Sequence, residues 1–178
     1  VSTDEVYGSI EIGEVNEEAA FRPNSPYAAS KASGDMLVRA YHQTYGLPTL
    51  VSHGSNTYGP RQFPEKFFPL IILRALSGLS LPIYGSGANQ REWIHVEDHA
   101  EGVMAVLKTG IPGQSYNLGG EARLPNLEVA KTLCAKLDDR LPSDQLGRVQ
   151  DLVEFVPDRP GHDFRYAMDS TKAKSELG

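Results

Sequence analysis

The chain has 178 residues, 40% hydrophobic and 22% charged, a composition that supports a packed core and excludes intrinsic disorder and collagen-like repetition. Its 17 Lys and Arg stand against 23 Asp and Glu, a formal charge of −6. That surplus repels phosphodiester backbones and argues against nucleic acid as a partner. The longest apolar stretch, residues 67–73, is broken by Pro69 and falls short of the roughly 20 residues of a spanning helix, so a soluble chain with no membrane partner is expected.

A length prior of about 150 residues per domain gives one compact unit, or one and a part. A single cysteine, Cys134, no Asn-x-Ser/Thr site with a permitted middle residue and no basic-then-apolar leader point to a reducing, cytoplasmic setting. The chain opens at Val1 inside what reads as a strand and stops at Gly178 after a short helical run, so it reads as a piece of a longer polypeptide.

Residues 1–6 read as a strand ending in acidic residues, and 13–24 as an acidic loop. Ser25 is a helix N-cap with Pro26 at the first helical position, and the helix runs to Tyr45 before Gly46 ends it. Strands follow at 48–53, 81–84, 92–95, 116–118, 152–156 and 164–168, with helices at 65–76, 98–108, 126–137 and 170–177. Residues 54–64 read as a loop, and a soft boundary falls at 59–65, where Pro60 and Pro64 bracket a turn. Strands alternating with amphipathic helices predict an α/β fold with a largely parallel sheet and crossover connections.

Two local patterns carry chemistry. Tyr27 and Lys31 are spaced i, i+4, which places phenol and ammonium on one helix face. A nearby cation favours the phenolate and draws its pKa toward neutrality, making the pair a candidate proton acceptor; the alternative is a core-packed Tyr beside a solvated Lys. Thr3, Asp4 and Glu5 stand at the carboxyl end of a strand, where open α/β sheets bind ligands. Neighbouring side chains on a regular strand point to opposite faces, so the two acids serve one substrate only if the backbone leaves strand geometry there. If they converge, one carboxyl is held protonated as an acid and the other remains a base; otherwise they are a solvated strand end. No G-x-x-x-x-G-K-[ST] loop is present, and Gly85-Ser86-Gly87 leads into a strand, which is not a dinucleotide fingerprint. Of five His residues only His95 and His99 show ligand-like spacing, and they straddle a strand end and a helix cap, so no metal is expected.

Ser-Thr-Asp-Glu-Val-Tyr-Gly at 2–8, Ser-Pro-Tyr-Ala-Ala-Ser-Lys at 25–31 and Asn56 before Tyr58-Gly59-Pro60 resemble the extended short-chain dehydrogenase/reductases. Phe63-Pro64-Glu65-Lys66, Pro82-Ile83-Tyr84-Gly85, Arg91-Glu92-Trp93, Val96-Glu97-Asp98-His99-Ala100, Tyr116-Asn117-Leu118-Gly119-Gly120 and the run from Asp158 to Asp163 narrow the resemblance to the dTDP-glucose 4,6-dehydratase family. It covers essentially the whole chain, and the Thr-Asp-Glu triplet is its most specific element.

The resemblance implies a partial doubly wound, Rossmann-type parallel sheet with a smaller α/β nucleotide-sugar-binding domain. Residues 1–59 would be the C-terminal part of the NAD-binding domain, and 60–178 mainly the nucleotide-sugar domain with elements returning to the Rossmann sheet. Tyr27 would take the C4 hydroxyl proton as hydride passes to NAD, Lys31 would hold the nicotinamide ribose, and Thr3 would bond the C4 oxygen. Glu5 would abstract the C5 proton, Asp4 would protonate the departing C6 hydroxyl, and hydride would return to C6. Cofactor binding would involve Tyr27, Lys31 and Thr57, where the family usually has a second Asn. Substrate binding would fall to Thr3, Asn56, Lys66, Phe67, Pro82, Ile83, Tyr84, Arg91, Asn117, Asp158, Arg159, Pro160, Gly161 and His162, with Arg91 on the diphosphate. The family's glycine-rich fingerprint is not in the sequence, so the resemblance implies a fragment lacking the N-terminal cofactor half, weak in NAD binding and inactive by itself, from a protein that pairs as a homodimer. An epimerase or decarboxylase of the same superfamily, or a non-catalytic nucleotide-sugar-binding module, are the alternatives.

Overall fold

The structure, a computed structural model, describes residues 1–140 and 147–178. Among them the elements run β1 (Ser2–Thr3), α1 (Pro26–Tyr45), β2 (Val51–Gly54), β3 (Asn56–Tyr58), α2 (Phe67–Leu76), β4 (Leu81–Tyr84), β5 (Gln90–His95), α3 (Val96–Thr109), β6 (Ser115–Leu118), β7 (Ala122–Pro125), α4 (Asn126–Asp138), β8 (Val153–Val156) and α5 (Thr171–Leu177). Short 3-10 helices cover Asp4–Tyr7 and Val149–Leu152. The fold is α/β with parallel strand pairing, and the chain divides into two compact units.

The first unit comprises Val1–Gly59, Arg91–Arg123 and Gly161–Gly178. Its main sheet has the order β1-β2-β6, all parallel, with Ser2 opposite His53 and His53 opposite Asn117. α1 is the crossover between β1 and β2. Ser25 caps it by accepting the Ala28 N–H, Pro26 opens it, and Gly46 closes it in the left-handed conformation, as the sequence signals require. Ala28 and Ala32, one turn apart, are its buried residues. Tyr116 and Leu118 pack with Val106 of α3 and Ala173 of α5, so by strand alternation Asn117 faces the other side of the sheet. There a second cluster joins Val6, Tyr7, Ala32 and Met168. A further sheet runs β3-β5-β7. Gly119 passes so close to the Glu92 carboxylate that a Cβ would overlap it.

The second unit comprises Pro60–Gln90 and Leu124–Pro160. β4 and β8 pair in parallel, Leu81 opposite Val153 and Tyr84 opposite Val156. Leu81 and Ile83 point inward, and Pro82 and Tyr84 outward. Ile71 and Ala75 of α2, Leu81, Cys134 of α4 and Val149 form its core, with Phe67, Leu133 and Leu137 packed against it.

Several elements differ from their sequence-based expectation. The strand expected over 1–6 ends at Thr3, because Val6 and Tyr7 are drawn into the core by a 3-10 turn. The expected loop 54–64 contains β3, paired to β5, and the β7 strand was not anticipated. The expected helix at 98–108 starts at Val96, where His95 supplies the capping side chain. The expected strand at 164–168 is irregular: Arg165 O and Ala167 O accept from Ile10 N and Val15 N, isolated bonds to a loop that builds no continuous ladder.

Leu81 is fully buried among α2 and α4 residues. Leu81→Ala is therefore expected to lower unfolding free energy by about 2–5 kcal/mol, read from urea denaturation of the full-length protein, whereas a loss below about 0.5 kcal/mol would contradict this core assignment.

Candidate active site

The site is built on the point where β1 ends. Thr3, in extended conformation, caps the 3-10 turn: its Oγ1 accepts the Glu5 N–H at 3.3 Å and donates to Asp4 Oδ1 at 3.2 Å. The backbone thus leaves strand geometry between Thr3 and Asp4, and the strict alternation that would separate neighbouring side chains no longer applies. Gly8 ends the turn at φ 74, packed against Arg22 O where no Cβ fits.

Asp4 is 4% exposed, and its Oδ2 is buried without a hydrogen-bond partner. Burial, followed by the Glu5 charge, pushes its carboxyl up to about 8. At neutral pH Asp4 is therefore a buried, protonated acid. Tyr27, on the first turn of α1, is 55% exposed, and Glu5, and Asp4 when ionised, act on its phenol electrostatically. Thr3, Asp4, Glu5 and Tyr27 are thereby brought together.

The expected lowering of the Tyr27 pKa by Lys31 is corrected. Desolvation and the two acids raise it, and the Lys31 ammonium donates to Val1 O at 2.8 Å. Thr57 Oγ1 lies 2.7 Å from His99 Nδ1 and donates to Ser55 O; Asn56 is half-buried beside it on β3.

The residues expected to bind substrate divide between the units. In the first, Arg91 is buried, with Nη2 donating to Asp163 O at 2.8 Å, Nη1 to Phe164 O, and the guanidinium 4.4 Å above the Tyr166 ring. Tyr166 in turn donates to Asp163 Oδ2, and its phenol is raised by burial and by the Glu5 charge, which puts this cluster beside the acid turn. Gly161, at φ 68 next to Asn24 O, precedes half-buried His162. Asn117 is corrected: it is 0% exposed, its Oδ1 accepts from Tyr7 and its Nδ2 donates to Val15 O and Asp169 O, so its amide serves the interior.

In the second unit Lys66 is exposed at the start of α2, and Phe67 packs on the core. The Ile83 side chain lies in the core, so a ligand there would meet its backbone. Pro82 and Tyr84 face outward. The Arg159 guanidinium stacks 5.0 Å over the Tyr84 ring, Asp158 Oδ1 accepts the Arg159 N–H, and Pro160 is exposed. These side chains gather at the ends of β4 and β8.

Sequence reasoning missed Ser2, Tyr7, Asp35, His53, Asp163 and Tyr166, which hold the turn and its surroundings. Ser2, Tyr7 and Asp163 lie inside the motifs at 2–8 and 158–163, and Asp35 one turn beyond Lys31 on α1, whereas His53 and Tyr166 carry no local signal. It also missed Glu92, 1% exposed, held by Arg123 Nε at 2.8 Å and the Met168 N–H. Cavities of about 520 and 240 Å³ in the first unit are lined by none of the expected site residues. No group of three or more potential metal ligands occurs among the described residues, and no described helix is long and apolar enough to cross a membrane.

A parallel α/β unit in which a Tyr-x-x-x-Lys helix follows a strand-end Thr-Asp-Glu is a Rossmann-type arrangement. The family model described as GDP-mannose 4,6 dehydratase matches residues 1–178, and the chain belongs to that family. It is 52% identical over 182 residues to a dTDP-glucose 4,6-dehydratase of Neisseria gonorrhoeae, covering 100% of this chain and 53% of the relative. It is 50% identical to one from Xanthomonas campestris, covering 51% of that protein. The chain thus spans about half the length of the curated relatives it matches. A dTDP-glucose 4,6-dehydratase structure from Streptomyces venezuelae with NAD bound superposes with a TM-score of 0.92 at 46% identity over 99% of this chain and 52% of that one. A UDP-glucuronic acid 4-epimerase from Bacillus cereus, in complex with UDP-glucuronic acid and NAD, gives 0.87 at 30% identity, over 99% and 53%.

The raised Asp4 carboxyl makes stability pH-dependent. The unfolded side chain ionises near 4 while the folded one keeps its proton up to about 8, so unfolding releases a proton between these values. Its contribution is complete at low pH and is lost as pH rises through about 8. Asp4→Asn in the full-length protein should flatten the fall in Tm between pH 5 and 9; an unchanged slope would contradict a buried, protonated Asp4.

Proposed function

We propose that the protein containing this chain is an NAD-dependent 4,6-dehydratase that converts dTDP-glucose to dTDP-4-keto-6-deoxyglucose. The observation that carries this reading is the pair of adjacent carboxyls on a turn beside Tyr27, with Asp4 buried and held protonated. Dehydration across adjacent carbons needs an acid and a base side by side, and an epimerase has no use for them. The relatives that are 50–52% identical over the length of this chain carry the dehydratase name, whereas the epimerase, at 30%, is more distant.

The exposed phenol of Tyr27 with Lys31 one turn on, on the helix that follows the carboxyl end of β1, fits a nicotinamide ribose, and Thr57 lies on β3, just after β2. NAD, when bound there, supplies the hydride acceptor for C4 and the hydride donor for C6. Tyr27 takes the C4 hydroxyl proton. Its raised pKa works against it, and the neutral form of Asp4, which takes one negative charge from its surroundings, works for it. Thr3 bonds the C4 oxygen. The C4 ketone acidifies the C5 hydrogen, Glu5 removes that proton, and Asp4 gives its own to the leaving C6 hydroxyl as water departs; as hydride adds to C6, Glu5 returns its proton to C5, and the proton held by Tyr27 makes good the one Asp4 gave up.

Residues 1–59 serve the cofactor side in this reading, and 60–178 mainly the nucleotide sugar, with Arg91–Arg123 and Gly161–Gly178 returning to the first unit. Exposed Lys66 and the Tyr84, Asp158, Arg159 and Pro160 cluster present an aromatic face and cations suited to a nucleoside diphosphate. Asn56, Phe67, Pro82, Arg91, Gly161 and His162 complete the candidates. Exposed Leu37, Tyr41 and Tyr45 on α1 support a homodimer, and the single buried Cys134 supports a cytoplasmic setting.

Incubation of the full-length protein with NAD and dTDP-glucose is expected to give a keto sugar that absorbs in alkali; an epimer, or binding without turnover, would contradict the proposal. Glu5→Gln should retain C4 oxidation and lower keto-sugar formation by about 10²–10⁴-fold. Because Asp4 must enter the reaction protonated, kcat should fall as pH rises through about 8; a kcat flat to pH 10 would remove Asp4 from the acid role.

A further inference from the structure

Tyr7 is the last residue of the turn that carries Asp4 and Glu5, and the mechanism gives it no task. It is 2% exposed. Its hydroxyl donates to Asn117 Oδ1 at 2.9 Å. With that proton committed, the phenolic oxygen accepts from His53 Nδ1 at 3.1 Å. Asn117 cannot turn away, because its Nδ2 is bound by two backbone carbonyls and its N–H donates to Glu17 Oε1. The other side of His53 faces Asp35, Nε2 to Oδ2 3.3 Å, and the same Asp35 oxygen accepts from Ser2 Oγ at 2.6 Å.

These contacts form one continuous chain, Ser2, Asp35, His53, Tyr7, Asn117. Ser2 lies just before the acid-bearing segment and Tyr7 just after its second acid, so the chain grips that segment at both ends. Asp35 stands on α1, one turn beyond Lys31 and two beyond Tyr27. Edge-on packing of the Tyr7 ring with His53 at 5.1 Å and Phe21 at 5.5 Å removes its remaining freedom. Every link is a hydrogen bond except one: His53 Nε2 faces Asp35 as a close charge contact without hydrogen-bond geometry, so the satisfied links on either side of it are what hold this buried chain in one arrangement.

We propose that Tyr7, with His53 and Asp35, is a positioning residue that fixes the Asp4–Glu5 turn against the helix carrying Tyr27 and Lys31, and so sets the rate of elimination. This rests on the dehydratase reading. A misplacement of about 1 Å can cost about 10²-fold in rate, and C4 oxidation, which depends on Tyr27 and Lys31, is less exposed to movement of the turn than C5 deprotonation and C6 departure are.

The test is Tyr7→Phe in the full-length protein, which keeps the ring and deletes the hydroxyl. The expected result is a fall of about 10–100-fold in kcat for keto-sugar formation, KM for dTDP-glucose within about twofold, substrate-dependent cofactor reduction at 340 nm retained, and exchange of the C5 hydrogen with solvent deuterium slowed in step with kcat. Wild-type kcat in the variant, or equal loss of oxidation and C5 exchange, would overturn the inference while leaving the dehydratase reading intact. Wild-type protein that forms no keto sugar would overturn both. Should Tyr7→Phe not fold, Asp35→Asn, which still accepts from Ser2 but loses the charge facing His53, is subject to the same readouts and the same criteria.

Discussion

The departure of the backbone from extended geometry after Thr3 is the constraint on which the rest of the site depends. A strand continued through Asp4 and Glu5 would send the two carboxyls to opposite faces of the sheet. The 3-10 turn keeps them together, buries Asp4 and brings both within electrostatic reach of Tyr27. The turn is held from inside by Val6 and Tyr7 in the core and from its start by the Thr3 hydroxyl, which bonds the Glu5 N–H and the Asp4 carboxyl.

The electrostatics follow from that placement. A carboxyl drawn out of water beside a second acid keeps its proton, and Asp4 does so in spite of the Thr3 hydrogen bond and the Arg91 charge, both of which pull the other way. Burial dominates because the side chain has little water left to solvate an anion. Arg91 is committed elsewhere, to the carbonyls of Asp163 and Phe164 and to the face of Tyr166. It tempers the acid pair without neutralising it.

Where the determinants are local, they were legible in the sequence. The Ser25-Pro26 start and the Gly46 stop define α1 with its Tyr27–Lys31 face, and the alternation in residues 81–84 gives β4. Elements set by distant contacts were not. The phenol that anchors the acid turn bonds partners 46 and 110 positions away, so nothing near residue 4 announces the turn. Residues 164–168 alternate like a strand, but their backbone partners lie in an irregular loop far up the chain. Asn117, a polar residue before two glycines, reads as a ligand until strand alternation turns it inward to Tyr7. Of the expected site, the Thr3, Asp4, Glu5 and Tyr27 grouping emerges from the coordinates. The lowered Tyr27 pKa and a ligand role for the Asn117 amide do not.

The account turns on Asp4 holding a proton at neutral pH beside the exposed phenol of Tyr27. Carboxyl carbon-13 NMR of the full-length protein labelled at aspartate, with the resonance assigned by its loss in Asp4→Asn, measures this directly. A titration midpoint near 8 is predicted, and a midpoint in the ordinary aspartate range, about 4, would contradict it.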